Sequence, residues 1–386
     1  MFDVGIVGGG MVGAATAVGL AQQGLDVVVF EAKLPFDYAP EQPPDMRVSA
    51  INLNAQTLLS SLGAWQDIES KRLCPFKKML VWESDKGSTQ FDCNEINQQQ
   101  LGFIVENRLI QLSLLNRINM LPNITLVSGA TIKDIHLGTP NIIRTEDNAS
   151  YECKILVGAD GGNSQVRRYL NIGQQGWQYK QQAMGINIKL ADAKQQDITW
   201  QQFRSSGPLA FLPLYDGFAS LVWYDSAAKI AELKRLNMSH LKTQIIANFP
   251  HKLGDFEILQ SASFPLTRMH ANQYCKGNSV LIGDAAHTIN PLAGQGVNLG
   301  FRDVAALLEC LSDWDKSENS VHHLLKQYEN KRRSSNLLMM STMDAIYAVF
   351  SNDNLPLKLF RNVGLNLADR AGPIKKQVMK VALGLA

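Results

Sequence analysis

No two cysteines in this chain stand close enough in sequence to share a metal or a redox-active disulfide. The five, Cys74, Cys93, Cys153, Cys275 and Cys310, are scattered and form no CxxC. That spacing argues against a zinc site and against disulfide-reductase chemistry, and it fits a reducing compartment; no metal ligands are assigned. Net charge is also scarce. Lys plus Arg total 37 against 35 for Asp plus Glu, a balance of +2, so bulk electrostatics calls for no nucleic-acid partner. No apolar run reaches the ~18 residues that a conventional membrane span needs. The chain opens directly into the strand pattern Phe2-Asp3-Val4-Gly5-Ile6-Val7 without a basic leader, so no secretory signal is expected and a cytoplasmic location is.

What is present is 386 residues of 45% hydrophobic composition, enough for two domains or one elaborated domain. The first strand runs into Gly8-Gly9-Gly10-Met11-Val12-Gly13, a GxGxxG. Gly8 permits the tight turn, Gly10 lets a pyrophosphate touch backbone, and Gly13 lets the following helix pack on the strand. Val27-Val28-Val29-Phe30 then forms a second buried strand ending at Glu31, whose carboxylate is placed to accept from both hydroxyls of an adenosine ribose and to repel a ribose phosphate. This unit binds FAD or NAD rather than NADP.

Two further strand tips follow. Ile155-Leu156-Val157-Gly158-Ala159-Asp160-Gly161 ends a strand at Asp160, with Ser164 capping a helix. Ser279-Val280-Leu281-Ile282-Gly283-Asp284 ends another at Asp284, and the Pro/Gly-rich segment after it turns into a helix near Gly294 or Gln295. A helix start offers free N–H groups and a positive dipole end to an anionic ring or phosphate. The small residues Ala293, Gly294, Gly296 and Gly300 admit close approach of a flat ring. Arg47 either pairs with a pyrophosphate or stands as a surface arginine. Asn107 and Arg108, at the start of a helix ending near Met120, either reach the cofactor or serve the helix cap.

Between Gln181 and Gln273 the pattern changes to alternating strands with Trp200, Phe203, Phe211, Trp223 and Tyr224, read as an antiparallel sheet. Most of these aromatics are core; Phe211, Pro213 and Trp223 are candidates to line an apolar substrate pocket. Met79-Leu80-Val81-Trp82-Glu83 and Thr89-Gln90-Phe91-Asp92 read as a hairpin that joins this second sheet, and Ser226 to Phe249 reads as one helix crossing it. From Asp353 onward, Lys358, Arg361, Arg370, Lys375, Lys376 and Lys380 interleave with apolar residues. That basic amphipathic tail either lies on an anionic bilayer or a lipid-handling partner, or covers the core as a terminal helix.

The triple set of Gly8 to Gly13 with Glu31, Gly158-Ala159-Asp160-Gly161 with Ser164, Val166 and Arg167, and Gly283-Asp284-Ala285-Ala286-His287 resembles the single-component aromatic hydroxylases of the para-hydroxybenzoate hydroxylase fold. Pro291-Leu292-Ala293-Gly294-Gln295-Gly296-Val297-Asn298-Leu299-Gly300 with Asp303 resembles their ubiquinone-biosynthesis subfamily. Asn290 stands where the common pattern has His before the proline; with Arg302, Thr199 to Phe203 and Ser220 to Asp225 it resembles the demethoxyubiquinol hydroxylase branch. The resemblance implies an α/β chain with a Rossmann-like FAD-binding domain (1–75, 100–180 and 275–335), a substrate-binding sheet domain (76–99 and 181–274) and a C-terminal helical region (336–386). It implies FAD held by Gly8, Gly10, Gly13, Glu31, Arg47, Asn107, Arg108, Asp160, Asp284, Pro291, Ala293, Gly294, Gln295, Gly296 and Asn298. The implied reaction is hydroxylation of a polyprenylated methoxy-methyl-benzoquinol through a flavin C4a-hydroperoxide. O2 is the cosubstrate, and NAD(P)H or an electron-transfer partner is the reductant. No catalytic side chain is assigned, because the quinol is already activated, and His287 is read as a structural hydrogen-bonder. Two alternatives stand beside this reading: hydroxylation at another ring position of a ubiquinone precursor, and an inactive FAD-bound scaffold in a biosynthetic complex. Other ubiquinone-biosynthesis proteins are expected partners, with peripheral contact at the inner face of the membrane through the tail.

Overall fold

The computed structural model describes residues 1–84, 87–194, 196–250, 253–289, 296–350, 372, 375–377 and 379–380. Its first sheet is built on short apolar strands whose side chains are covered on both faces, as β-branched runs in a parallel sheet require. Val4, Ile6, Val27, Val28, Val29, Leu156, Val157, Val280 and Leu281 have no exposed surface. The parallel order is Ser279–Leu281, Ser150–Gly158, Phe2–Val7, Val27–Glu31, Ile124–Ser128. In register, Leu281 lies beside Gly158, Gly158 beside Val7, and Val7 beside Phe30. Four strands therefore end at one edge, where open α/β sheets bind ligands. The helix Met11–Gln22 is buried without a break from Gly13 to Ala21, being caught between this sheet and the helix Gly296–Leu311.

The second sheet has eight strands in the order His287–Thr288, Phe256–Ala271, Gln174–Leu190, Phe218–Ser226, Leu209–Pro213, Ile198–Gln202, Lys78–Ser84, Gly87–Asp92. Two expectations change here. The sheet is not antiparallel throughout, since Ile198–Gln202 runs parallel to Lys78–Ser84. The single crossing helix is two, Ala227–Arg235 and Met238–Asn248, because Asn237 accepts from the His240 N–H at 2.9 Å and starts a new helix. The Lys78–Ser84 and Gly87–Asp92 strands do lie in this sheet. Gln174–Leu190 runs unbroken for 17 residues through position 180, and His287–Thr288 pairs with Met269 and His270. The two sheets are thus stitched together beside the Gly283-Asp284 tip.

A small third sheet, Val48–Asn52, Gly102–Glu106 and Cys74–Phe76, lies near the cleft. The helix Glu318–Phe350 has 33 residues, about 50 Å at 1.5 Å per residue. Most of the basic tail falls outside the described residues. Of the part described, Lys375 pairs with Glu95 at 2.9 Å, and Met379 is buried with Cys93 and Ile96; both belong to a covering segment. Among the described residues no helix is long and apolar enough to cross a membrane.

Candidate functional site

The cleft begins at the first strand tip. Gly8 has φ +104°, and a Cβ there would stand 2.4 Å from the Ala159 carbonyl oxygen; a Cβ on Gly13 would stand 1.9 Å from the Gly8 carbonyl oxygen. Only glycine satisfies both contacts. Among the described residues nothing stands within 4 Å of a Cβ position on Gly10, and Gly10 caps Met11–Gln22 without any side-chain hydrogen bond. The helix therefore presents its first N–H groups beside open space, as an anion site does. Glu31 closes this corner: Oε2 accepts from the Gly9 N–H at 2.7 Å and Oε1 from the Lys33 N–H at 3.0 Å. A carboxylate has about four lone-pair sites, so capacity remains for ligand hydroxyls.

Arg47 and Asp284 form the opposite corner. Arg47 is exposed just before Val48–Asn52, and Asp284 is exposed just after Ser279–Leu281. The surrounding walls push the Asp284 carboxyl above its ordinary value, an effect opposed by the charges of His287 and Arg47 and assisted by Asp303. Asp284 is thus open to solvent by area yet enclosed at longer range, as befits a group on a cleft floor; the open area is what lets a ligand reach it. These features fit an FAD-sized dinucleotide: a glycine cradle that a Cβ would fill, a helix start without a side-chain cap, an acid at one corner and an acid with an arginine at the other.

Several residues assigned to the cofactor from the sequence are committed elsewhere. Asp160 accepts from Ser164 Oγ at 2.5 Å, the Gln165 N–H at 2.6 Å and the Val166 N–H at 3.1 Å, so its carboxylate caps its own helix. Arg108 grips Asp45 through Nε at 2.9 Å and Nη2 at 3.0 Å, and donates from Nη1 to the Phe36 and Asp37 carbonyls. It anchors the 36–45 loop. Asn107 accepts from Ser49 Oγ at 2.7 Å, which joins the helix start to Val48–Asn52. Asn298 accepts from the Asn52 N–H at 3.1 Å and donates to the Ala50 carbonyl at 2.8 Å, pinning Gly296–Leu311 to the same strand. Gly296 opens that helix, and among the described residues nothing stands within 4 Å of a Cβ position on it. Pro291, Ala293, Gly294 and Gln295, with Asn290, lie outside the described residues.

The substrate-lining assignments need correction. Phe211 and Trp223 have no exposed surface and pack with Trp200, Phe249, Ile230 and Ile245 under the two helices; Pro213 shares the Phe211 face by the two-residue period of a strand. The opposite face meets the cleft. A Cβ on Gly185 would stand 3.3 Å from Met46 Cε, and Asn187 Nδ2 donates to the Pro44 and Asp45 carbonyls at 2.9 and 3.0 Å. Gly185 lies opposite Val222, and Val222 opposite Ala210. Gly185 thus faces the 44–47 loop, and Val222 and Ala210 share its side of the sheet, one residue out of phase with the expected row, with Val222 packed beside Tyr224 and Ala183.

Two residues to which the sequence assigns no role, Arg72 and Glu106, hold the cleft in shape, together with Arg167 of the second-tip motif. Arg72 and Glu106, 5% and 2% exposed, form a two-pronged pair at 2.6 and 2.9 Å. Glu106 also accepts from the Asp45 N–H at 2.7 Å, and Arg72 donates to the Gln42 carbonyl at 2.9 Å, so the loop before Arg47 hangs on this pair. Arg167 donates to the Ala285 and Gly162 carbonyls, both at 2.8 Å, tying the second tip to the third. Nothing local in the sequence marks these partners; the only signal is that Glu106 sits at the end of an apolar strand.

A family profile described as FAD binding domain matches residues 1–341. The chain is 43% identical to 3-demethoxyubiquinol 3-hydroxylase of Escherichia coli (strain K12), over 99% of this chain and 98% of that protein. It is 34% identical to ubiquinone hydroxylase UbiL of Rhodospirillum rubrum, over 99% and 89%. Among solved structures, p-nitrophenol 4-monooxygenase PnpA from Pseudomonas putida DLL-E4 superposes with a TM-score of 0.79 at 18% identity, covering 99% of this chain and 96% of that one, which shows the shared fold.

Proposed function

The chain belongs to the FAD-binding flavoprotein monooxygenases that include the ubiquinone-biosynthesis hydroxylases, and from that premise we propose that it hydroxylates the last open ring carbon of a polyprenylated methoxy-methyl-benzoquinol. One observation carries the reading. Four parallel strand tips bring Gly8, Glu31, Asp160 and Asp284 to one edge, and Gly185 of the second sheet, with Val222 and Ala210 on its side of that sheet, faces the Met46-Arg47 side of that edge. This arrangement supports a reading in which a dinucleotide site and an apolar substrate cover share one cleft.

In this proposal the Gly8 to Gly13 turn and the start of Met11–Gln22 hold the pyrophosphate, with Arg47 opposite. Glu31 takes the ribose hydroxyls and Asp284 the ribityl chain. Bound FAD supplies the redox chemistry and the activation of O2. The chain's own residues orient the quinol against Val222 and Ala210 and keep water out. The substrate ring is activated by its own oxygens, so no side-chain base is assigned. Residues 1–75, 100–180 and 275–335 hold the cofactor, 76–99 and 181–274 cover the substrate, and 336–386 form a C-terminal helical region. The reductant is NAD(P)H or an electron-transfer partner. Peripheral contact with the inner face of the membrane and with quinone-handling proteins belongs to the same proposal, and the basic composition of the tail supports it.

The test is to supply the FAD-loaded protein with reductant, O2 and a panel of prenylated quinols, then to locate the added oxygen by mass spectrometry. A single product carrying one oxygen at the open carbon of the methoxy-methyl quinol is expected. Oxygenation at another carbon overturns the substrate assignment, and no substrate-dependent oxygen uptake overturns the enzymatic reading.

A further inference from the structure

Behind the Asp284 tip lies a polar cluster that the cofactor reading does not use. Asp303, with no exposed surface, receives four donors. On Oδ2 it takes the Gly283 N–H at 3.0 Å and His287 Nε2 at 2.5 Å; on Oδ1 it takes Arg332 Nε at 2.8 Å and Asn336 Nδ2 at 3.0 Å. The first oxygen therefore serves the strand tip, and the second serves the helix Glu318–Phe350. Asn336 reaches on to Tyr274 OH at 3.3 Å, which meets His270 Nε2 at 3.1 Å. Burial alone would raise the Asp303 carboxyl, but His287 and Arg332 outweigh it and hold it at about 2. An ionised carboxylate only accepts, so His287 Nε2 must carry the proton. His287 is 1% exposed, and its Nδ1 has no hydrogen-bond partner among the described residues. Such a ring is oriented through Nε2 alone.

We propose that Asp303 and His287 are positioning residues for the cofactor cleft. By collecting Gly283 N–H and His287 Nε2 on one carboxylate oxygen, they fix where the strand turns and hence where the Asp284 carboxyl stands. His287 follows the tip by three residues and is paired in the ladder with His270, so it transmits the location of the second sheet to the tip. The inference rests on FAD binding in this cleft.

The test compares His287→Gln, whose amide nitrogen reproduces Nε2 and keeps the bond to Asp303, with His287→Asn, whose shorter amide reproduces Nδ1 and loses it. FAD affinity and the visible spectrum of bound flavin are read together with the melting temperature of the FAD-free chain. His287→Gln should bind FAD within about threefold of the parent, and His287→Asn about ten- to hundredfold more weakly with a shifted flavin band, the loss expected for a buried charge-assisted bond. Asn336→Ala removes one of the two bonds on the far oxygen and leaves that of Arg332; it should lower the melting temperature and leave FAD affinity within about threefold. A His287→Asn chain that binds FAD like the parent overturns the proposal, as does a His287→Gln chain that fails equally. A parent chain that does not bind FAD refutes the functional reading itself, a different outcome from either.

Discussion

Replacing Arg72 by Met should unseat the loop that carries Arg47. Arg72 makes two bonds to Glu106 at 2.6 and 2.9 Å, stacks over the Tyr215 ring at 4.4 Å, and donates to the Gln42 carbonyl. Methionine retains much of the volume but leaves Glu106, 2% exposed, as a buried charge without its partner. Such a truncation costs about 3–5 kcal/mol, a large share of the ~5–15 kcal/mol that stabilises a typical native chain. Changing Glu106 to Leu as well removes the stranded charge, yet it orphans the Asp45 N–H that Glu106 accepts at 2.7 Å. The double variant should therefore recover only partly, remaining about 1–3 kcal/mol below the parent. Because Asp45 lies two residues before Arg47, both variants should also weaken FAD binding. Urea denaturation of the four chains, the parent, Arg72→Met, Glu106→Leu and the double variant, analysed as a double-mutant cycle, measures the coupling, and FAD titration measures the consequence for the cleft. A loss below ~1 kcal/mol for Arg72→Met, or strictly additive effects, would refute the claim that this pair supports the loop.

Gly13→Ala puts a carbon 1.9 Å from the Gly8 carbonyl oxygen, so the turn must shift by about 1.5 Å to restore ordinary contact. FAD affinity measured by flavin fluorescence should fall at least about a hundredfold. Val222→Phe, on the cleft face, should cut quinol turnover about tenfold or more while FAD stays bound, whereas Phe211→Leu should cost about 1–1.5 kcal/mol of stability and leave turnover intact; steady-state kinetics with melting curves separates the two. Acid stability should fall in two stages. Burial, reinforced by the charges of Arg333, His287 and Arg268, depresses His270 to about 4, so its contribution is complete above its unfolded value of 6.5 and is lost as the pH falls toward 4. Asp303, held at about 2, contributes fully above its unfolded value of 3.8 and loses that contribution as the pH falls through 2. Unfolding free energy measured against pH should lose its upper slope in His270→Gln, and an unchanged profile would contradict the assignment.

The strand tips are legible in the sequence, whereas the partners of several side chains upon them are not. Gly8, Gly13 and Glu31 were legible because turn, helix start and acid lie on one short strand-helix-strand unit. Arg108 and Asp160 were assigned by position at a helix start or strand end, but position does not say whether a charge is free. Arg108 is taken by Asp45, 63 residues away, and Asp160 by the N–H groups of its own turn. For Phe211 and Trp223, alternation establishes that they share a face with each other, not which face the cleft occupies.

Short-range covalent order was enough to mark the buried strands, the glycine turn, the acids at the strand ends and the alternating segments of the second sheet, because each depends on the steric and polar preferences of residues close in sequence; which strands pair, and in which direction, was not. The tertiary structure decided which of those residues remain available. Asn52 and Asn298 meet across 246 positions. The Asp303 carboxylate gathers a strand tip, a bridging strand and a long helix, and Gly185 rather than a neighbouring bulky residue faces Met46. A buried hydrogen-bonding group must take whatever partner the packing delivers, and that partner is set by how the sheets and helices close on one another rather than by any local pattern.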